Sequence, residues 1–337
     1  MRHAPDDLKT WVNVWPVGTG DLDVDAIQTT DNEVMILLAM LNGGRFITEQ
    51  LDSFESQTHN AWRLVVSDDG SVDSGPDQIE AWSRLHPSRN VTLVAGPQAG
   101  FARNFLHLLA HADRSTRFVA FSDQDDVWLP DKLARATAAL AGVPESQPAL
   151  YCGSTWICDH RLSGRKVSER WAYPPSFRNA LVQNIAPGNT IMLNRAAVRL
   201  LQAATRRAGE VPAHDWWAYQ VIAGAGGHII QDKTPSLLYR QHGTNVIGAN
   251  VGLRAHLRRY WIVLRGHLRR WNDLNIDALT RALPYLTPEN RQLVEDFAKA
   301  RRAPILSRPR RLHRLGIHRQ SRIGTGLLWV AAVIGCL

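Results

Sequence analysis

Phe118-Val119-Ala120-Phe121-Ser122-Asp123-Gln124-Asp125-Asp126-Val127-Trp128-Leu129-Pro130-Asp131-Lys132 runs from an apolar stretch straight into three carboxylates within four positions. Such a run, bounded by polar residues, reads as a buried strand with the acids at its carboxyl end. In open α/β sheets, ligands bind outside that edge. Crowded carboxylates raise one another's pKa unless positive charge offsets them. A hard divalent cation, Mg2+ or Mn2+, suits the position, because it takes carboxylate oxygens and completes its shell from water and phosphate oxygens. The stretch therefore implies a metal-bridged diphosphate and group-transfer chemistry. The competing reading is a solvated acidic loop capping the next helix, with Asp131 behind Pro130 at the helix N-terminus.

The flanking sequence favours the first reading. Residues 34–40 form a β run ending in an Asn42-Gly43-Gly44 turn, and 45–57 carry Phe46, Ile47, Leu51 and Phe54 at helical spacing. Strand 62–66 stops at Ser67-Asp68-Asp69-Gly70-Ser71, helix 79–85 follows, and strand 91–94 precedes helix 101–112. Strands alternating with helices of this length predict a mostly parallel sheet with right-handed crossovers. Beyond the acids the pattern is less regular. Residues 149–152, 155–158, 190–193, 228–230 and 237–240 read as short strands, and 195–204 and 214–223 as helices.

Five pieces stand at strand ends or element junctions: Asn42-Gly43-Gly44, Asp68-Asp69-Gly70-Ser71, Asp123-Gln124-Asp125-Asp126, His214-Asp215-Trp216-Trp217, and Tyr239-Arg240-Gln241-His242-Gly243-Thr244-Asn245. In this order and spacing they resemble the family 2 glycosyltransferases, which are inverting enzymes of GT-A fold, and within them the rhamnosyltransferase-like branch. The resemblance covers about residues 34–250. It implies a nucleotide-sugar donor, first of all dTDP-rhamnose, a glycan or lipid-linked acceptor of a surface polysaccharide, and a divalent metal.

The resemblance also implies roles for the matching residues. Ala39, Asn42 and Asp68 or Asp69 fall at the donor nucleotide, where a carboxylate suits the N3–H of a pyrimidine. Asp123 contacts the ribose or helps bind metal, Asp125 is the direct metal ligand, and His242 faces the metal or the diphosphate. Arg240 stabilises the diphosphate. Asp215 is the candidate general base, its helix-terminal place lowering its pKa and the neighbouring tryptophans raising it. The loop Asn184-Ile185-Ala186-Pro187-Gly188-Asn189-Thr190, through Gly188 and Asn189, lies beside the acceptor, and Trp216 or Trp217 stacks on a sugar face. One departure is Ala39-Met40-Leu41-Asn42-Gly43, where the family's first strand usually ends Ala-Thr-Tyr-Asn-Gly. It leaves the donor's base open.

The chain has 337 residues, enough for one large domain with appendages, and three cysteines, Cys152, Cys158 and Cys336, without a Cys-x-x-Cys pair. No disulfide framework or zinc site is expected, and the polar start predicts no signal peptide, which together fit the cytoplasm. The expected organisation is an N-terminal extension over 1–33, a GT-A domain over 34–250, and a basic helical region over 251–337. From Val251 onward there are 17 Lys and Arg against 5 Asp and Glu, whereas residues 1–250 hold 22 against 26. A basic segment running into the uncharged stretch 323–337, too short to span a bilayer, predicts peripheral association with the inner-membrane surface. Nucleic acid is not expected as a partner, because the charge excess is confined to the tail and no binding motif accompanies it. A sugar-nucleotide nucleotidyltransferase needs a Gly-rich phosphate loop with a nearby Lys, for which Asn42-Gly43-Gly44-Arg45 is a poor substitute. A non-catalytic membrane-anchored scaffold is opposed by intact Asp123, Asp125, Asp215 and His242.

Overall fold

The computed structural model describes residues 32–113, 115–168, 171–242 and 267–337. Almost all of the expected extension 1–33, the motif residues Gly243, Thr244 and Asn245, and the boundary expected at 250 lie outside them.

Alternating elements open the chain: β1 (Val34–Met40), α1 (Ile47–Glu55), β2 (Trp62–Asp68), α2 (Gly75–Leu85), β3 (Val91–Ala95), α3 (Phe101–His111) and β4 (Phe118–Ser122). Then come β5 (Val127–Trp128), α4 (Lys132–Ala141), β6 (Ala149–Cys158), β7 (Lys166–Val167), α5 (Phe177–Ala180) and β8 (Met192–Asn194). The second half continues with α6 (Arg195–Ala208), α7 (His214–Gly224) and β9 (His228–Arg240), and ends in α8 (His267–Arg281), α9 (Pro288–Arg302), α10 (Arg308–Arg314) and α11 (Arg322–Val333).

The strands form one sheet of order β3-β2-β1-β4-β8-β6-β9-β5, with β7 paired to β6. The β3-β2-β1-β4 half is parallel, β8 runs antiparallel to both β4 and β6, and β6 and β9 are parallel. The period of two along β1 explains why its whole run is apolar. Met35 and Leu37 join one buried cluster, with side chains of α3, α6 and α7, while Val34, Ile36, Leu38 and Met40 join a second, with α1, α2 and α4. A strand buried on both faces has no polar side to show.

Three elements of the second half differ from expectation. The segments 149–152 and 155–158 are one strand, β6, and 228–230 and 237–240 are one strand, β9. Gly153-Ser154 and the Asp232–Pro235 stretch look like turns in sequence, but they lie opposite each other, where the register shifts as in a β-bulge. The strand expected at 190–193 begins instead as a 3-10 turn, Gly188–Thr190, ahead of β8.

The C-terminal helices extend the first cluster. Leu279 of α8, Phe297 of α9, Leu312 of α10 and Leu328 of α11 are buried in it. Among the described residues, no helix is long and apolar enough to cross a membrane.

Candidate functional site

The chain runs outward from β1 to β2 and β3, then returns to place β4 on the other side of β1. The order reverses between β1 and β4, and a crevice opens beyond their carboxyl ends, the position at which sheets of this kind bind ligands. Leu38 pairs with Ser122, so Ala39, half-buried, lies level with the start of the acid turn. Gln124 bridges the crevice floor: its Oε1 accepts from the Leu41 amide at 2.8 Å and its Nε2 donates to the Leu41 carbonyl at 3.0 Å. A Cβ on Gly43 would stand 2.7 Å from that Oε1, so a larger residue there would displace the Gln124 amide from Leu41.

On the β1–β2 side, Asn42 adopts φ +52°, a conformation Asn tolerates better than most residues. Its Oδ1 accepts from the Val72 amide at 2.9 Å, and its own amide donates to Ser71 Oγ at 2.7 Å. The two aspartates of this turn divide their work. Asp69 is buried, and its carboxylate accepts from the amides of Gln98 at 2.6 Å and Gly100 at 2.9 Å, which pins the loop before α3. Asp68 is only partly buried and is held by Ser71. Of the pair, Asp68 is the more exposed.

The acid turn separates its three carboxylates. Asp123 is partly exposed, and among the described residues nothing donates a hydrogen bond to its carboxylate. Burial raises it to about 7, helped by the negative charges of Asp125 and Asp215. Asp125 Oδ2 lies 2.6 Å from His242 Nε2, a link between β4 and the residue pair that follows β9. Phe46 lies against that imidazole, with ring centres 5.0 Å apart. Asp126 is wholly buried, with Oδ2 accepting from Asn189 Nδ2 at 2.6 Å and Oδ1 without a hydrogen-bond partner. Burial, then repulsion from Asp125 and Asp123, holds this carboxyl well above the usual range.

Arg240 is buried rather than open to a diphosphate. It donates to the Asp125 carbonyl at 3.0 Å and the His160 carbonyl at 2.8 Å, pairs with Glu49 at 2.5 Å, and lies over the Phe46 ring. In this arrangement its guanidinium fixes the backbone of Asp125, so the expected contact with the donor gives way to a positioning contact.

Sequence reasoning passed over Lys132. It is 2% exposed on the inner face of α4, lies over the Trp128 ring, and donates to the Asn189 carbonyl at 2.6 Å. Burial pulls it down to about 7, against the charges of Asp126 and Asp123, which favour its protonated form. Asn189 therefore takes its backbone contact from Lys132 and gives its side chain to Asp126, which stitches the loop before β8 to the acid turn. The available signal was position: Lys132 falls one turn before Ala136 and two before Leu140 on a helix whose apolar stripe faces the sheet. Lys132→Met is expected to cost about 2–3 kcal/mol of stability by leaving the buried Asn189 carbonyl without its donor. Denaturant unfolding measures it; a loss below about 1 kcal/mol would contradict the bridge.

Asp215 stands in the first turn of α7, and its negative charge is among those that raise Asp123. Its Oδ2 accepts from the Gly188 amide at 3.2 Å and its Oδ1 from the Trp216 amide at 2.7 Å. Burial raises it to about 6 against these N–H donors and Asn184. Gly188 packs so tightly that a Cβ there would come within 2.7 Å of His214 Nε2.

Trp216 and Trp217 depart from expectation. Trp217 is fully buried with Nε1 donating to Thr205 Oγ1 at 3.0 Å, and Trp216 is 5% exposed with Nε1 donating to the Ala180 carbonyl at 2.6 Å. Neither ring face is open to a sugar. Large rings with one polar tip are readily placed in a core when that tip finds a partner, and both do here. Their part is to wall the helix that carries Asp215.

Among the described residues, no three His, Cys, Asp or Glu side chains form a ready-made metal cage. The donor set still fits a hard divalent ion: Asp125 and His242 are already in contact, and Asp123 adds a carboxylate without a hydrogen-bond donor. Such ions are often held by one or two carboxylates, with phosphate and water completing the shell.

Comparison with known proteins bears on the family and the fold. Residues 35–195 match the profile described as Glycosyl transferase family 2. Over 266 residues the chain is 26% identical to the dTDP-rhamnosyl transferase RfbG of Shigella flexneri, covering 77% of this chain and 89% of the relative. It is 34% identical over 103 residues to the UDP-Glc:alpha-D-GlcNAc-diphosphoundecaprenol beta-1,3-glucosyltransferase WfgD of Escherichia coli, covering 31% of this chain and 39% of that protein. The crystal structure of S. aureus TarS 1-349 in complex with UDP-GlcNAc superposes with a TM-score of 0.51 over 90% of each chain at 13% identity, a likeness of fold alone.

Proposed function

We propose that this chain, which belongs to glycosyl transferase family 2 through residues 35–195, moves a sugar from a nucleoside diphosphate to a hydroxyl of a glycan or lipid-linked acceptor by single displacement with inversion. The observation that carries the reading is the joining of two sites through one loop. Asp123 and the Asp125–His242 contact lie at the end of β4, and Asp215 accepts from the Gly188 amide of the loop whose Asn189 side chain holds Asp126 of the same acid turn. Diphosphate departure and proton removal need separate groups, and these two sites offer one for each.

Asp68 accepts from the donor's base, and a pyrimidine with a free N3–H suits it. Asp123 holds the ribose or shares the metal site. Asp125 and His242 would hold Mg2+ or Mn2+, which when bound offsets the charge developing on the leaving diphosphate. Asp215, oriented by the Gly188 and Trp216 amides, takes the proton of the acceptor hydroxyl as that oxygen attacks the anomeric carbon. Gly188 and Asn189 shape the acceptor side. The buried tryptophans keep water from the far side of α7.

Rhamnose from dTDP-rhamnose is the donor we favour, supported by the Shigella relative's name and the motif resemblance. The test is release of nucleoside diphosphate from dTDP-rhamnose, UDP-glucose and GDP-mannose, with and without an undecaprenyl-diphosphate-linked sugar. Turnover of dTDP-rhamnose above the other two supports the assignment; preference for GDP-mannose would overturn the pyrimidine role of Asp68.

The pH dependence follows from Asp215. The base works in its deprotonated form, and its pKa is raised to about 6. At saturating metal, kcat/KM therefore rises through about pH 6 to a plateau and falls about tenfold per unit below it. A profile flat down to pH 5 would contradict Asp215 as the base.

A further inference from the structure

The C-terminal helix α11 buries one side and leaves the other bare. Leu328, Ala331 and Ala332 join the core, whereas Ile323, Leu327, Val330 and Ile334 are exposed, Ile323 at 76% and Val330 at 56%. Steps of four, three and four residues put these side chains on a single stripe along the helix. The Ile305–Ser307 turn adds Ile305 and Leu306, the latter 86% exposed. It adjoins α11, because Arg308, which follows it, donates to the Ala332 carbonyl at 3.1 Å. Exposed Arg310, Arg311, Arg314 and Arg322 flank these elements. From Phe297 to the end there are nine Lys and Arg and no Asp or Glu.

We propose that this stripe, with Ile305 and Leu306, is a docking surface for an anionic lipid bilayer, on which α11 lies flat. At 1.5 Å per residue its twelve residues extend about 18 Å, short of the roughly 30 Å hydrocarbon core. One side is committed to the protein, so the helix enters the headgroup boundary edge-on, with apolar side chains down and arginines at the phosphates. A second copy of the chain is a poorer occupant. A two-fold interface through this face would set the same arginines against each other, and the segment from Phe297 onward has no Asp or Glu to offset them.

The surface is joined to the acceptor side of the fold. Arg178 Nε donates to the Leu315 carbonyl at 3.1 Å, Asn179 Nδ2 to the His318 carbonyl at 3.2 Å, and the Gln320 amide to Gln183 Oε1 at 2.8 Å. Residues 315–320, which lead into α11, are thus sewn to the segment just before the loop 184–190. If the proposed function holds, docking brings that loop toward the bilayer that carries a lipid-linked acceptor; the docking itself does not depend on that reading.

The test is co-sedimentation of the full chain with vesicles of phosphatidylcholine alone and of equal parts phosphatidylcholine and phosphatidylglycerol. Two double variants, Leu327→Glu with Val330→Glu and Arg310→Glu with Arg311→Glu, alter exposed positions outside the site. We expect binding to the phosphatidylglycerol vesicles that weakens with salt, and a loss of at least about tenfold in partitioning for each variant. Nucleotide binding by calorimetry should be unchanged in both, which separates failed docking from a failed active site. No binding by the parent chain, equal binding by the variants, or a dimer in sedimentation velocity that the Leu327→Glu, Val330→Glu variant dissolves would each overturn the proposal.

Discussion

Asp215→Asn is expected to lower the transfer rate by about 10²- to 10⁴-fold while leaving nucleoside diphosphate affinity unchanged. The substitution keeps the size of the side chain and removes its capacity to take a proton. The Asn carbonyl can still accept from one of the two amides that now hold the carboxylate, Gly188 or Trp216. The walls of α7, Trp216 and Trp217, are anchored by their own indole hydrogen bonds, so the helix stays in place. Single-turnover transfer and calorimetric nucleotide titration read the two effects separately. Retention of full activity in the variant would remove Asp215 from the base role.

Asp125→Ala should abolish the metal-dependent part of nucleotide binding, a loss of about 100-fold or more. It deletes the carboxylate that meets His242 at 2.6 Å but leaves the Asp125 backbone, which Arg240 holds through the carbonyl. The acid turn therefore keeps its path, and Asp126 keeps its contact with Asn189. His242→Ala should show the same dependence more weakly, because Asp123 and Asp125 remain. Unchanged affinity in the presence of metal would assign the Asp125–His242 contact to structure alone.

The sheet was legible, and with it the edge at which the candidate residues gather, because each rests on local pattern. The Phe118–Phe121 run ending in acids gave both the strand and its carboxyl edge, and β1 to β4 follow the strand–helix alternation. What sequence could not give was partner choice across the fold. Whether a tryptophan after Asp215 faces a sugar or the core depends on what lies beyond it, and here the Ala180 carbonyl and Thr205 claim the two indoles. Arg240 reads as a cation free for phosphate until Glu49 and the carbonyls of Asp125 and His160 are seen around it. Lys132 was hidden for the same reason. A lysine on an apolar helix face is costly unless it meets buried acceptors, and those are supplied by Asn189 from 57 residues away. The splitting of β6 and β9 into short strands was an error of punctuation: Gly153 and the Asp232–Pro235 stretch carry turn residues yet sit opposite one another in a bulged ladder.

The uncharged end of the chain reads as an interfacial segment, and in the structure α11 packs one side on the core and leaves the other bare, with Leu328 inward and Ile323 outward. Periodicity alone does not distinguish these, because the stripe that packs and the stripe that is bare are both apolar.

Nucleotide binding by calorimetry, with dTDP, UDP and GDP titrated in Mn2+ and again in chelator, bears most directly on the claim that the crevice between β1 and β4 is a metal-assisted nucleotide-sugar site. Metal-dependent binding of a pyrimidine diphosphate is expected, weakened by chelator and by Asp125→Ala and untouched by Asp215→Asn. Binding that is indifferent to metal and to Asp125, or no binding of any of the three, would contradict it.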